Sequence, residues 1–231
     1  MRIEYLFSKE EKRLLKDMRE AGIIVVGKLT ELKDGSLSPI YVDMRDKLTD
    51  DNPGLLPRIG KIFADNIAYI TGCWIDPKEI MPIQVIIGVP DAAHPLAAAT
   101  ATMAALEKMR ISCLVQRKVA KSYGTTGQKE KLIIGKPKPD REYNLIDDVI
   151  TTSKSKRESI AIMEREGFEV KRVFVFFDRQ QGGGDSLIRN GYEFHAVFKL
   201  TEVAQFFFDE NLISEKQYDD TLQFIVNHQV E

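Results

Sequence analysis

Apolar and polar positions along this chain change period repeatedly, and each change marks an element. Ser8 followed by Glu11 forms a capping box, in which the serine oxygen and the glutamate carboxylate satisfy orphan amides at a helix start, so a first helix is predicted to about residue 21. The apolar run Ile23-Ile24-Val25-Val26 follows. A turn-rich stretch, Lys33-Asp34-Gly35-Ser36-Leu37-Ser38-Pro39, then leads into Ile40-Tyr41-Val42-Asp43-Met44-Arg45, which alternates as a strand does. Leu55, Leu56, Ile59, Ile62, Phe63, Ile67 and Ile70 share one face at helical spacing, which predicts an amphipathic helix over residues 53–70.

From residue 84 onward the pattern alternates between strand and helix. Gln84-Val85-Ile86-Ile87-Gly88-Val89 is a continuous apolar run, the alanine-rich segment after it reads as a helix, and Ser112-Cys113-Leu114-Val115 is the next strand. Tyr143-Asn144-Leu145-Ile146, a helix over 154–166 and Val173-Phe174-Val175-Phe176-Phe177 resume the rhythm after a polar interruption. Unbroken apolar strands between helices are those of a parallel sheet covered on both faces. The expectation is one α/β domain with a mainly parallel central sheet, right-handed crossovers and two further helical segments in 200–228.

Composition narrows the class. The chain has 231 residues, 43% hydrophobic and 29% charged, enough for a real core. Its 33 basic and 35 acidic side chains give 33 − 35 = −2, so there is no bulk attraction to nucleic acid or anionic lipid, and any phosphate recognition must come from a local cluster. Cys73 and Cys113 are too few for a disulfide framework, and His94, His195 and His228 lack metal-ligand spacing. Met1 to Phe7 runs straight into Ser8-Lys9-Glu10-Glu11-Lys12-Arg13, leaving no apolar core for a signal peptide, and the uncharged stretch 92–106 contains Pro95. These features predict an intracellular, cytoplasmic, soluble protein with neither nucleic acid nor membrane as partner.

The most informative segment is Asn144-Leu145-Ile146-Asp147-Asp148-Val149-Ile150-Thr151-Thr152-Ser153-Lys154-Ser155, an apolar strand ending in two acids, then hydroxyls, then a helix. Carboxylates at a strand's carboxyl end sit where open α/β sheets bind ligands. Hydroxyls and amides at the following helix start suit a phosphate. Acids for a sugar diol beside amides for a phosphate imply a sugar phosphate, although Asp and Thr also serve simply as helix caps. Arg117, Lys118 and Lys121, with Lys129 and Lys131 beyond, crowd a loop over 117–131 that contains Gly124 and Gly127. That loop suits a flap over a polyanion, or a solvated surface. Arg179, after the strand of 173–177, can present a planar fork to a carboxylate or ring carbonyl, or pair with Asp178 at a turn.

Ile146-Asp147-Asp148-Val149-Ile150-Thr151-Thr152 resembles the phosphoribosyl pyrophosphate (PRPP) motif of type I phosphoribosyltransferases. Three further segments, 33–45, Arg117-Lys118-Val119-Ala120-Lys121-Ser122-Tyr123-Gly124 and Asp178-Arg179-Gln180-Gln181-Gly182-Gly183, resemble the orotate-using branch in family order and spacing. The resemblance covers about residues 32–195. It implies the type I phosphoribosyltransferase fold, with a hood of about 1–50, a PRPP-binding core of about 51–199 and C-terminal helices of about 200–231.

The activity implied is transfer of the 5-phosphoribosyl group from PRPP to orotate, with Mg²⁺ carried by PRPP rather than held directly. Lys121, Asp147 and Asp148 take the catalytic positions. Arg117, Lys118, Lys121 and Tyr123 match the loop that reaches the pyrophosphate of PRPP on a neighbouring subunit, implying a homodimer with active sites shared through 117–131. Asp147, Asp148, Val149, Ile150, Thr151, Thr152, Ser153, Lys154 and Ser155 match the PRPP cradle, and Lys33, Tyr41, Val42, Thr151 and Arg179 match the orotate site.

Two departures stand beside these matches. Ser153 and Lys154 occupy positions where the family has glycine and a small residue, and a serine that had to adopt positive φ is strained. Asp91, within Gly88-Val89-Pro90-Asp91-Ala92-Ala93-His94-Pro95-Leu96-Ala97, puts an acid in the family's pyrophosphate loop, where it repels pyrophosphate unless a cation intervenes. These departures leave a binding or regulatory protein with lapsed catalysis as an alternative; an enzyme for another base is a second alternative, against which Arg179 and the hood segment 33–45 argue.

Overall fold

The computed structural model describes residues 3–31, 35, 37–45, 52–74, 81–119 and 131–229. Lys33, Lys121 and Tyr123 lie outside the described residues, as does most of the basic loop. Helix α1 (Lys9–Glu20) begins at the predicted capping box, Ser8 accepting from the Glu11 amide. Strands β1 (Ile24–Glu31) and β2 (Leu37–Val42) pair antiparallel as a separate ribbon. Helix α2 (Leu55–Thr71) buries Ile59, Ile62, Phe63 and Ile67 as their spacing requires.

The main sheet contains β3 (Ile83–Gly88), β4 (Ile111–Gln116), β5 (Ile133–Ile134), β6 (Arg141–Ile150), β7 (Val170–Asp178) and β8 (Glu193–Lys199), in the order β5-β4-β3-β6-β7-β8. All its pairs are parallel except the short edge strand β5, which runs antiparallel to β4. Helices α3 (Ala93–Leu106), α4 (Lys154–Arg165), α5 (Gly183–Arg189), α6 (Leu200–Asp209) and α7 (Glu215–Asn227) complete the described elements. Among the described residues no helix is long and apolar enough to cross a membrane.

The continuous apolar runs are explained by two cores. Along β7, Phe174 and Phe176 enter the core shared with α1, α2, α6 and the β1–β2 ribbon, while Val173 and Val175 enter the opposite core with Ile160 and Met163 of α4 and Leu187 of α5. From Val173 to Phe177 both faces of β7 are therefore apolar, so period-two alternation is lost there. Phe176 meets Phe63 and Phe198 edge-to-face at centroid distances of 5.7 and 5.3 Å.

Four elements differ from expectation, among them the two-residue edge strand β5, which was not predicted. Strand β6 continues past Ile146 to Ile150, so both acids lie within the strand, because β7 runs alongside it as far as Asp178. Strand β8 and the seven-residue α5 were not predicted; β8 carries Glu193, His195 and Lys199 along an edge, and α5 is too short and glycine-rich for periodicity.

At the sheet end opposite the acids, Glu142 takes Lys171 Nζ and Arg172 Nη1, each at 2.8 Å, and Gln84 Nε2 at 3.2 Å. Burial opposes its ionisation, but the Lys171, Arg172 and Gln84 hydrogen bonds outweigh this and hold its carboxyl down at about 2. A depressed carboxyl contributes stability present above its unfolded value and lost as pH falls through the folded one. Chemical denaturation of Glu142→Gln is therefore expected to show a stability deficit at neutral pH that narrows as pH falls from about 4.5 toward 2. A deficit independent of pH overturns this assignment.

Candidate active site

The chain passes from β3 outward to β4, then returns to β6 on the other side of β3 and continues to β7 and β8. Where strand order reverses, the loops leaving adjacent strands diverge and open a crevice at their carboxyl ends. A cleft of about 910 Å³ occupies that position, floored by Val89 and Asp147 to Val149 and roofed by Tyr41 to Arg45 at the end of β2. Gly88 lets the start of α3 close in, since a Cβ there would lie 2.6 Å from the Ala93 carbonyl oxygen.

The acidic pair is deeply set. Asp147 Oδ1 accepts the Asp148 amide at 3.0 Å, and Oδ2 receives Lys156 Nζ at 2.6 Å. Burial pushes the Asp147 carboxyl above the usual carboxylate range, the Lys156 ammonium pulls it back, and the Asp148 charge pushes it up again. Asp148 Oδ1 accepts the Val149 amide at 2.8 Å, while its Oδ2 lies 3.9 Å from Arg45 Nε.

The turn into α4 divides its residues. Val149, Thr151, Thr152 and Ser155 line the cleft. Ile150 is fully buried in the core beneath. Ser153 is also buried, its hydroxyl 3.0 Å from that of Ser186, and its φ of −77° and ψ of −8° are ordinary right-handed values. The strain anticipated for a serine here is absent. Lys154 is exposed and outside the cleft lining, so the side chains of Ile150, Ser153 and Lys154 do not meet the cleft as expected. The glycine run after Arg179 has a physical reason: a Cβ on Gly183 would lie 2.7 Å from the Thr151 carbonyl oxygen, so α5 packs directly beneath the cradle turn.

Arg179 follows β7 and lines the cleft while only 7% exposed. Its Nη2 donates to Ser38 Oγ at 3.2 Å, and its amide donates to the Ile150 carbonyl at 3.0 Å. Tyr41 and Val42, from the hood strand β2, line the cleft. On the opposite side Lys118 and Asp91 form an ion pair of 2.5 Å, and the Lys118 hydrogen bond holds the Asp91 carboxyl below its usual range. Asp91 is thus paired with a lysine of the chain's own basic segment. Arg117, at the end of β4, is not among the lining residues.

Ser38, Arg45 and Lys156 were not singled out from sequence. Lys156 carried a readable signal, because it falls with Ser159, Ile160 and Met163 on the buried stripe of α4, where a lysine needs a partner.

No protein-family model matches the chain. An orotate phosphoribosyltransferase of Thermoplasma acidophilum is 30% identical over 193 residues, covering 84% of this chain and 97% of the relative. A uridine 5′-monophosphate synthase of Caenorhabditis elegans is 31% identical over 215 residues, covering 92% of this chain; the chain spans 39% of that longer relative. The structure of Leishmania donovani UMP synthase superposes with a TM-score of 0.71 at 25% identity over 94% of this chain and 42% of its own. With the cleft at the switch point, the acidic pair and the cradle turn in place, this chain belongs to the orotate phosphoribosyltransferase family.

Proposed function

We propose that the chain transfers the 5-phosphoribosyl group of PRPP to N1 of orotate, forming the C1′–N1 bond, breaking the bond from C1′ to pyrophosphate, and yielding orotidine 5′-monophosphate for pyrimidine synthesis. The observation that carries this reading is the convergence in one cleft of the acidic pair, the helix-start turn, Arg179 and the Tyr41–Val42 wall. The reaction passes through an oxocarbenium-like transition state, so catalysis is positioning and charge stabilisation rather than attack by a protein nucleophile. The acidic pair faces the ribose and favours the positive ring. Thr151, Thr152 and Ser155, with the amides at the start of α4, seat the 5′-phosphate. Arg179 and Thr151 hold orotate against Tyr41 and Val42, with Lys33 near base and pyrophosphate.

Mg²⁺ enters as part of the substrate, bound to the pyrophosphate of PRPP. The chain works in the cytoplasm as a homodimer, with Arg117, Lys118, Lys121 and Tyr123 of each loop serving the neighbouring site. Two of the three departing residues that favoured a lapsed enzyme weigh less, since Ser153 is unstrained and Asp91 is paired.

Orotate consumption with PRPP and Mg²⁺ tests the reading. Turnover is expected for the wild type, with kcat about a hundredfold or more lower for Lys121→Ala. Thermal stabilisation by PRPP without consumption of orotate overturns the enzyme reading. An unchanged rate in Lys121→Ala overturns the loop assignment.

A further inference from the structure

A buried lysine occupies the first turn of α4, where the helix dipole and the loss of water both oppose an ammonium. Lys156 is 4% exposed. Its Nζ reaches back across the cradle turn to the carbonyl of Val149 at 2.7 Å and to Asp147 Oδ2 at 2.6 Å. Replacing a buried ion pair with apolar residues is often neutral or stabilising, so such a pair is a poor device for stability alone. This one lies at the wall of the proposed site and joins the two elements that frame it.

The four oxygens of the acidic pair are unequal in consequence. Asp147 has one oxygen on the Asp148 amide and the other on Lys156. Asp148 has one on the Val149 amide and the other 3.9 Å from Arg45, a side chain 57% exposed.

We propose that Lys156 is a positioning residue for phosphoribosyl transfer. It holds the Asp147 carboxylate against the burial that favours its protonation, ties the phosphate turn to β6, and leaves Asp148 Oδ2 as the oxygen that receives the ribose diol. This deepens the proposed function and rests on it. The charged groups in contact with Asp147 are Asp148 on its own strand and Lys156 from α4; Glu31, Asp43 and Arg45 from the hood, Arg179 after β7 and the Lys118–Asp91 pair share the cleft. With Lys156 removed, burial and Asp148 act on Asp147 unopposed, and it accepts a proton more readily.

Two measurements test this. Carbon-13 carboxyl resonances of the wild type, assigned with Asp147→Asn, are expected to show Asp147 as a carboxylate at pH 8; a protonated Asp147 there overturns the proposal without any assay of turnover. In Lys156→Met the acidic limb of the kcat/KM profile for PRPP is expected to move to higher pH by about one unit or more, and Lys156→Arg to return it toward the wild type. A limb that stays in place, even with activity reduced, marks Lys156 as merely structural and overturns the proposal. Absence of turnover in the wild type would count against the proposed function instead, leaving the carbon-13 result to judge the Asp147–Lys156 lock alone.

Discussion

Asp148→Asn is expected to lower kcat/KM for PRPP by about 10²–10³-fold, with far-ultraviolet circular dichroism unchanged. The substitution keeps the side chain's size and an oxygen to accept the Val149 amide, which now bonds Oδ1 at 2.8 Å. What it removes is a negative charge at a nearly dry wall of the cleft, the Asp148 side chain being 9% exposed. Charge there is weakly screened, and a transition state that gathers positive charge on the ribose ring depends on it more than the ground state does. The loss should fall mainly on kcat for the ring's charge and partly on KM for the lost diol acceptor. Steady-state kinetics with PRPP varied at saturating orotate separates the two. A change of less than about threefold in both places Asp148 away from the reacting carbon.

What could be read from sequence follows from how many jobs each residue has. The central strands are legible because burial on both faces leaves no polar position in runs such as 85–89 and 173–177. Strand β8 escapes because its seven residues include Glu193, His195 and Lys199 and it forms a sheet edge. Asp147 and Asp148 stand out because a strand this apolar has no packing reason for adjacent acids. The same reasoning misplaces the end of β6: an acidic pair reads as a stop, whereas the cleft at the strand's carboxyl end accepts both side chains while backbone pairing continues to Ile150.

Charge partners are the part a linear reading loses. Asp91 reads as repulsive until Lys118 is found against it, and Lys156 reads as one more surface lysine until its helical phase is counted. Ser38 is separated by 141 residues from the arginine it holds, and nothing local to either residue announces the contact.

That contact underlies the second large effect. Arg179→Lys is expected to raise KM for orotate by about thirtyfold or more while the Kd for PRPP, measured by calorimetry, stays within about twofold. A guanidinium offers a planar pair of donors that matches a carboxylate or adjacent ring carbonyls; an ammonium offers one point of charge on a flexible stem. At 7% exposure the fork has little water to fall back on, so the mismatch is felt nearly in full. Ser38 Oγ, 3.2 Å from Nη2 and itself 0% exposed, fixes the plane of that fork from the hood side. Lysine keeps the charge, so an effect of charge alone would be small in this variant, and a large one isolates geometry. Ser38→Ala should raise the same KM by a smaller factor, because it loosens the fork without removing it. If KM for orotate is unchanged in Arg179→Lys while turnover persists, the base is read elsewhere in the cleft, and Tyr41 and Val42 carry more of its recognition than their position in the hood implies.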